Sequence, residues 1–178
     1  LKWPGVISDR SIDEEIFNKE AMGLFEKALD DLMVVREREG ASLRDAILKR
    51  IASIQRIIDS IQAKMPSIIL KQKENLLNKL EDIKAEFEPT RLEQEITLLA
   101  QKADVDEELD RLNSHLQEAQ RVLDSDGQIG RRLDFLMQEL NREANTLSSK
   151  SIVVETTQSA VELKVLIEQM REQIQNIE

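Results

Sequence analysis

Apolar residues recur every three or four positions along most of this chain, the spacing of one face of an α-helix. From about Asp13 the residues Ile16, Met22, Phe25, Leu29, Leu32 and Met33 keep an approximate 3.6-residue rhythm and predict a first helix. Gly40 reads as its stop, and Ser42 as the N-cap of the next. From there Leu43, Ile47, Ile51, Ile54, Ile58, Ile61, Met65, Ile69, Leu76, Leu80, Ile83 and Phe87 form one stripe, with polar Gln72 in step. The phase survives Pro66, and no Gly, Asn or Asp stands beside that proline to make a turn. The pattern therefore predicts one long helix kinked at Pro66 rather than a hairpin. At 1.5 Å per residue such an arm reaches roughly 65–70 Å, and it must pack against another helix or another subunit.

Pro89 closes the arm, and Thr90 can cap a helix carrying Leu92, Ile96, Leu99, Val105, Leu109, Leu112, Leu116, Ala119 and Leu123. Asp124-Ser125-Asp126-Gly127 is the clearest loop. A further helix runs from about Gly130 to Leu147 on Leu133, Leu136, Met137, Leu140, Ala144 and Leu147, and Ser148 to Ser151 reads as a break. Ala160, Leu163, Ile167, Met170, Ile174 and Ile177 then alternate steps of three and four, a coiled-coil-like seam. The expected fold is all-α: a helical bundle with a long projecting helical arm, an antiparallel coiled-coil-like hairpin. Residues 1–12, with Trp3-Pro4-Gly5, resist helix and read as a connector leading out of something upstream. Residues 13–89 read as helices including the arm, and 90–178 as a C-terminal helical domain carrying the candidate site.

Composition agrees with helices. Charged residues reach 34% and aromatics only 3%, with five Gly and three Pro, too few turn formers for a sheet protein with many hairpins. The absence of Cys excludes disulfides and Cys-based zinc sites. No apolar run approaches the ~20 residues that span a bilayer, and no signal peptide is visible, so a cytoplasmic location is expected. The net charge of −10 counts against nucleic acid unless cations are locally concentrated or metal ions bridge the two anions.

Between Arg131 and Thr146 the polar residues exceed what a bundle needs. Asp134, Gln138, Asn141 and Asn145 make one stripe, and Arg132, Glu139, Arg142, Glu143 and Thr146 its neighbour. Asn is a poor helix former because its amide competes for backbone hydrogen bonds, so Asn141 and Asn145 cost stability. Glu139 and Glu143 stand one turn apart and repel when ionised. A divalent cation removes that repulsion, and oxygen ligands suit Mg or Mn. The bland alternative is neutralisation by Arg142 and another basic side chain. On the preceding helix stand Glu107, Glu108, Arg111 and His115, the only histidine. Glu108 and His115 share a face about 10 Å apart and cannot clasp one ion together. A lone helical His is most often a surface or packing residue, and Glu107 with Arg111 makes an ordinary i,i+4 pair. Arg131 and Arg132 oppose the helix dipole at a helix start. A phosphate contact there explains them, as does a salt bridge to one of 35 acids. There is no Gly-rich phosphate loop, no Ser/His/Asp arrangement, no HExxH and no base-stacking aromatic motif.

These segments resemble the YicC family, including its YloC relatives. The matching runs are Arg91 to Glu95, Asp104 to Leu112 with His115, Gly130 to Phe135, Gln138 to Thr146, Ser149-Lys150-Ser151 and the tail from Glu162 to Glu178. Trp3-Pro4-Gly5-Val6 and Arg36 to Gly40 fit as well. The resemblance implies a cytoplasmic, metal-dependent endoribonuclease acting on single-stranded RNA such as small regulatory RNAs. It also implies a homo-oligomer, a hexamer with a clamp-like opening, and a domain before Trp-Pro-Gly. Spacing points to Glu139, Glu143 and His115 as catalytic groups, and to Glu108, His115, Glu139 and Glu143 as metal ligands, Glu108 and His115 serving neighbouring positions each completed from another helix. Arg131, Arg132, Arg142, Asn145 and Lys150 are expected to bind RNA. The ion would activate water or the ribose 2′-OH, or polarise a phosphate oxygen. The rivals are a non-enzymatic helical scaffold, supported by the seam and the acidic charge, and an RNA-binding or oligomerisation module.

Overall fold

The computed structural model describes residues 13–82, 97, 104–125 and 127–175, and all its elements there are helices. They are α1 (Glu14–Asp82), α2 (Asp106–Leu123), α3 (Gly130–Lys150) and α4 (Val154–Ile174). The all-α expectation holds. By its contacts the chain divides into two units, Leu1–Ser42 and Leu43–Glu178.

In the first unit Asp13 caps α1. Its Oδ1 accepts from the backbone N–H groups of Glu15 at 3.1 Å and Ile16 at 3.4 Å, satisfying two orphan donors of the first turn. The expected stop at Gly40 and cap at Ser42 are overturned, because α1 continues through both. Glycine weakens a helix by only ~1 kcal/mol, and Arg36 to Glu39 before it and Ala41, Leu43 and Arg44 after it are mostly strong helix formers. Nothing lies within 4 Å of a Cβ added at Gly40, and its φ is not left-handed. Gly40→Ala is therefore expected to stabilise this stretch by about 0.5–1 kcal/mol. A rise in helical ellipticity on thermal scans measures it; a fall would mean that Gly40 serves a backbone role.

The second unit is an antiparallel bundle of α1 from Leu43 onward with α2, α3 and α4. Gln55 bonds Asn113 at 2.8 Å, and Arg44 pairs with Asp124, so α1 and α2 run in opposite directions. Arg50 reaches Gln169 on α4 at 3.3 Å. The turn between α2 and α3 uses Gly127 at φ +96°, a left-handed backbone that favours glycine. One core unites Ile47, Ile51, Ile54, Ile58, Ile61 and Met65 of α1 with the buried stripes of the other three helices. Leu140 and Leu147 of α3 are fully buried, as are Ala160, Leu163 and Met170 of the α4 seam, while Ile167 and Ile174 are nearly so. Each fully buried large apolar side chain stabilises the bundle by about 1.5–3 kcal/mol.

Pro66 sits inside α1 without a reversal of the chain, as the unbroken apolar phase predicts. It is exposed, and so is Gln62, whose carbonyl loses its usual partner there and can turn to water. Beyond Met65 the α1 stripe leaves the core, with Ile69 36% exposed, while its neighbour Ile68 still packs partly against it. Two further boundaries differ from expectation. The helix expected to run unbroken through Val105 is interrupted there: Asp104 and Val105 are not helical, and α2 starts at Asp106. Val105 still belongs to the core at 2% exposure, which is why it kept step with the stripe. Asp106, Glu107 and Glu108 then suit a helix start. The expected break over Ser148 to Ser151 is instead the end of α3, which runs to Lys150, with the Ser149 and Ser151 hydroxyls donating to carbonyls of the preceding turn. The connector, the end of the arm near Phe87 and Pro89, the return half of the expected hairpin and Ile177 lie outside the described residues.

Candidate metal centre

The α2 and α3 helices pack side by side in opposite directions, and their polar edges form a ladder. Arg132 pairs with Glu118 near the connecting turn, and Lys150 with Glu108 at the far end. Between these rungs His115 of α2 faces Glu139 and Glu143 of α3. A ring nitrogen of His115 and one carboxylate oxygen from each glutamate lie within 4.8 Å of one another, the one such group among the described residues. The i,i+4 spacing of the glutamates puts both on one side of α3. His115 is flanked by buried Leu112, Leu116 and Ala119, which hold its position at the rim of the core.

Burial sharpens the chemistry. Glu143 is only 3% exposed, while Glu139 and His115 are half-buried. An ionised carboxylate in such a place requires a compensating charge. Arg111 Nη1 is 3.7 Å from Glu143 Oε1, and Arg142 Nη1 is 3.7 Å from Glu139 Oε2. Both are ion-pair contacts beyond hydrogen-bond reach, and both arginines are mostly or half in solvent. The alternative expected from the sequence, neutralisation by Arg142 and another basic side chain, is met in this arrangement: Arg142 stands beside Glu139 and Arg111 beside Glu143, at ion-pair rather than hydrogen-bond distance.

The residues fit a divalent ion. Donors around one ion at bond lengths of 2.0–2.3 Å are separated by about 3 to 4.6 Å. A spread of up to 4.8 Å closes onto that geometry with small rotamer shifts. One imidazole and two carboxylates suit Mn, Fe or Zn better than a site of oxygen ligands alone would.

Other expected site residues are placed differently. Glu108 lies outside the cluster, and both its oxygens accept from Lys150 Nζ, at 2.8 and 2.9 Å. Lys150 spends its remaining donor on the Asp104 carbonyl at 3.0 Å. The structure thus pairs the buried Glu108 with Lys150 rather than with the His115 cluster. Arg131 and Arg132 are both exposed, and Arg132 is engaged by Glu118. Asn145 donates to Asn141 at 3.4 Å, and Gln138 to Asp134 at 2.8 Å, so part of the polar stripe is explained by pairs within α3. Asp134 also accepts from Arg171 of α4 at 3.3 Å. Arg111 was legible from the sequence only as a partner for Glu107, which it does meet. Its second contact, to Glu143, depends on the register of two helices and had no signal in one helix alone.

The comparisons with known proteins agree with this region. Residues 61–178 match the family model described as endoribonuclease YicC-like, C-terminal. Over all 178 residues the chain is 49% identical to the probable endoribonuclease YicC of Haemophilus influenzae, of which it covers 62%. It is 47% identical over 79 residues, 44% of this chain, to the probable endoribonuclease YicC of Clostridioides difficile, of which it covers 27%. The chain thus spans less than two thirds of the length of these relatives.

Proposed function

This chain belongs to the YicC-like endoribonuclease family, and from that premise we propose that it cleaves RNA phosphodiester bonds with a divalent metal held by His115, Glu139 and Glu143. The observation that carries the reading is the convergence of one imidazole and two carboxylates, from two helices, within 4.8 Å. A bundle does not need that arrangement, because two like charges one turn apart on α3 destabilise it slightly. A bound ion supplies Lewis acidity and positive charge to the scissile phosphate.

The protein's own groups prepare that encounter. Glu143, enclosed by α2 and α3, fixes the inner side of the site, and low local dielectric strengthens its pull on a cation. Glu139 and His115 form the outer side, open to a substrate. Arg142, exposed on α3 beside Glu139, supplies positive charge at the site, and Arg131 a second charge further along the same helix, within a protein of net charge −10. Mn fits the imidazole best of the two metals expected from the sequence. We assign single-stranded RNA, such as small regulatory RNA, as substrate on the resemblance, and a cytoplasmic setting. Among the described residues no helix is long and apolar enough to cross a membrane.

We also propose a homo-oligomer, a hexamer in the resembling family. Support comes from the α1 stretch before Ser42, where Ile16, Phe17, Met22, Phe25, Leu32 and Met33 are each 55–59% exposed. A patch of that size calls for a covering surface.

The test incubates this chain, with the Haemophilus influenzae relative alongside, with end-labelled single-stranded RNA. Internal cuts that stop with EDTA and return with added Mn are expected. A 2′,3′-cyclic phosphate on the product would assign the 2′-OH as nucleophile, and a 5′-phosphate would assign water. Cutting that persists unchanged in EDTA would refute the metal-assisted reading. RNA binding without cutting by either protein would favour the RNA-binding module.

A further inference from the structure

Charge around the cluster sums in an informative way. Glu139 and Glu143 carry two negative charges, and Arg111 and Arg142 return two positive ones at 3.7 Å each. A divalent ion on the glutamates would leave both arginines without their carboxylates, beside a site that is then net positive. Arg142 is 71% exposed and has bulk solvent to turn to. Arg111 is different. It stands one helical turn before His115, half-exposed, with Nη2 on Glu107 and Nη1 pointing at the buried Glu143. A metal ion and a guanidinium compete for the same Glu143 oxygens, so one displaces the other.

We propose that Arg111 is an exchange arginine: it neutralises Glu143 in the metal-free protein and passes to a backbone phosphate of the RNA once the ion has taken Glu143. This rests on the metal reading above. Three features support the phosphate as destination. The planar fork of Arg suits a phosphodiester. The group is tethered at Glu107, so it swings without leaving the site. Its release coincides with the gain of two positive charges that draw an anion in. Metal and RNA binding are thereby linked through one side chain, and each favours the other.

The linkage gives opposite signs for two measurements on Arg111→Gln. Without RNA, Mn²⁺ binding followed by electron paramagnetic resonance is expected to tighten severalfold, since the competing cation is gone. With saturating Mn²⁺ and labelled single-stranded RNA, KM is expected to rise about tenfold while kcat changes less than threefold. Arg111→Lys, which keeps the charge but not the fork, should leave Mn²⁺ affinity near wild type and recover only part of the KM. Thermal melts establish that both variants fold, and Arg111 is exposed enough for that to be expected. If the wild type binds Mn²⁺ through His115 and Glu143 but Arg111→Gln binds it equally or more weakly, the exchange is refuted and the metal reading stands. An unchanged KM refutes it as well. If the wild type binds no Mn²⁺, or binds it unaltered in Glu143→Gln, both ideas fall together.

Discussion

Glu143→Gln is expected to lower kcat for RNA cleavage at least roughly 100-fold, the upper end of what even indirect changes around a metal site cost. The variant keeps size and helix propensity and removes one charge. Its carboxylate is the most enclosed of the three donors, at 3% exposure, so no neighbouring group can take its place. Glu139→Gln, at the half-exposed side, should lose less but in the same direction. Excess Mn is expected to recover part of either loss. Stability should hold or improve slightly because the i,i+4 repulsion is relieved. The ion pair to half-exposed Arg111 at 3.7 Å is worth too little to reverse this. Cleavage kinetics beside a thermal melt measure both. Wild-type rates in both variants would move the chemistry elsewhere. A loss that tracked helicity would support a scaffold.

Lys150→Met is expected to cost about 3 kcal/mol of stability, by the mechanism of an orphaned buried charge. Glu108 is 5% exposed by side chain, and both its oxygens depend on Lys150 Nζ. Lys150 keeps 31% of its side chain in solvent, which places the cost at the lower end for buried pairs. The midpoint of thermal unfolding should fall about 10 °C. The double variant Glu108→Gln, Lys150→Met should regain most of that, because no charge is then left buried. An unchanged midpoint in the single variant would mean that water reaches Glu108. Loss of cleavage in Lys150→Met at a temperature where it remains folded would point to a phosphate role for Lys150 after all.

The periodicity of the apolar residues carried most of the fold. Ile47 to Met65, Leu109 to Leu123, Leu133 to Leu147 and Ala160 to Ile174 are all core stripes, and each was readable at 3.6 residues per turn. The boundaries were harder. Gly40 and Ser42 look like helix punctuation, yet local signals of about 1 kcal/mol yield to strong helix formers on both sides. Val105 kept the stripe in phase while the backbone left the helix, since a buried side chain can be supplied from an N-cap position as well as from a helix.

The candidate site divides along the same line. Glu139 and Glu143 are close because of spacing within one helix, which a sequence displays. Their meeting with His115, the capture of Glu108 by Lys150 and the approach of Arg111 to Glu143 all depend on the register between α2 and α3. That register follows from packing and from the turn around Gly127, and a single helix carries no record of it.

One ion held between α2 and α3 is the centre of the proposed reaction. The most direct measurement is anomalous X-ray scattering at the Mn absorption edge from crystals of this chain equilibrated with Mn²⁺. A peak is predicted about 2.0–2.3 Å from a His115 ring nitrogen and from carboxylate oxygens of Glu139 and Glu143, with Arg111 turned away from Glu143. Bound Mn²⁺ at other residues, with the cluster still closed by Arg111 and Arg142, would contradict it.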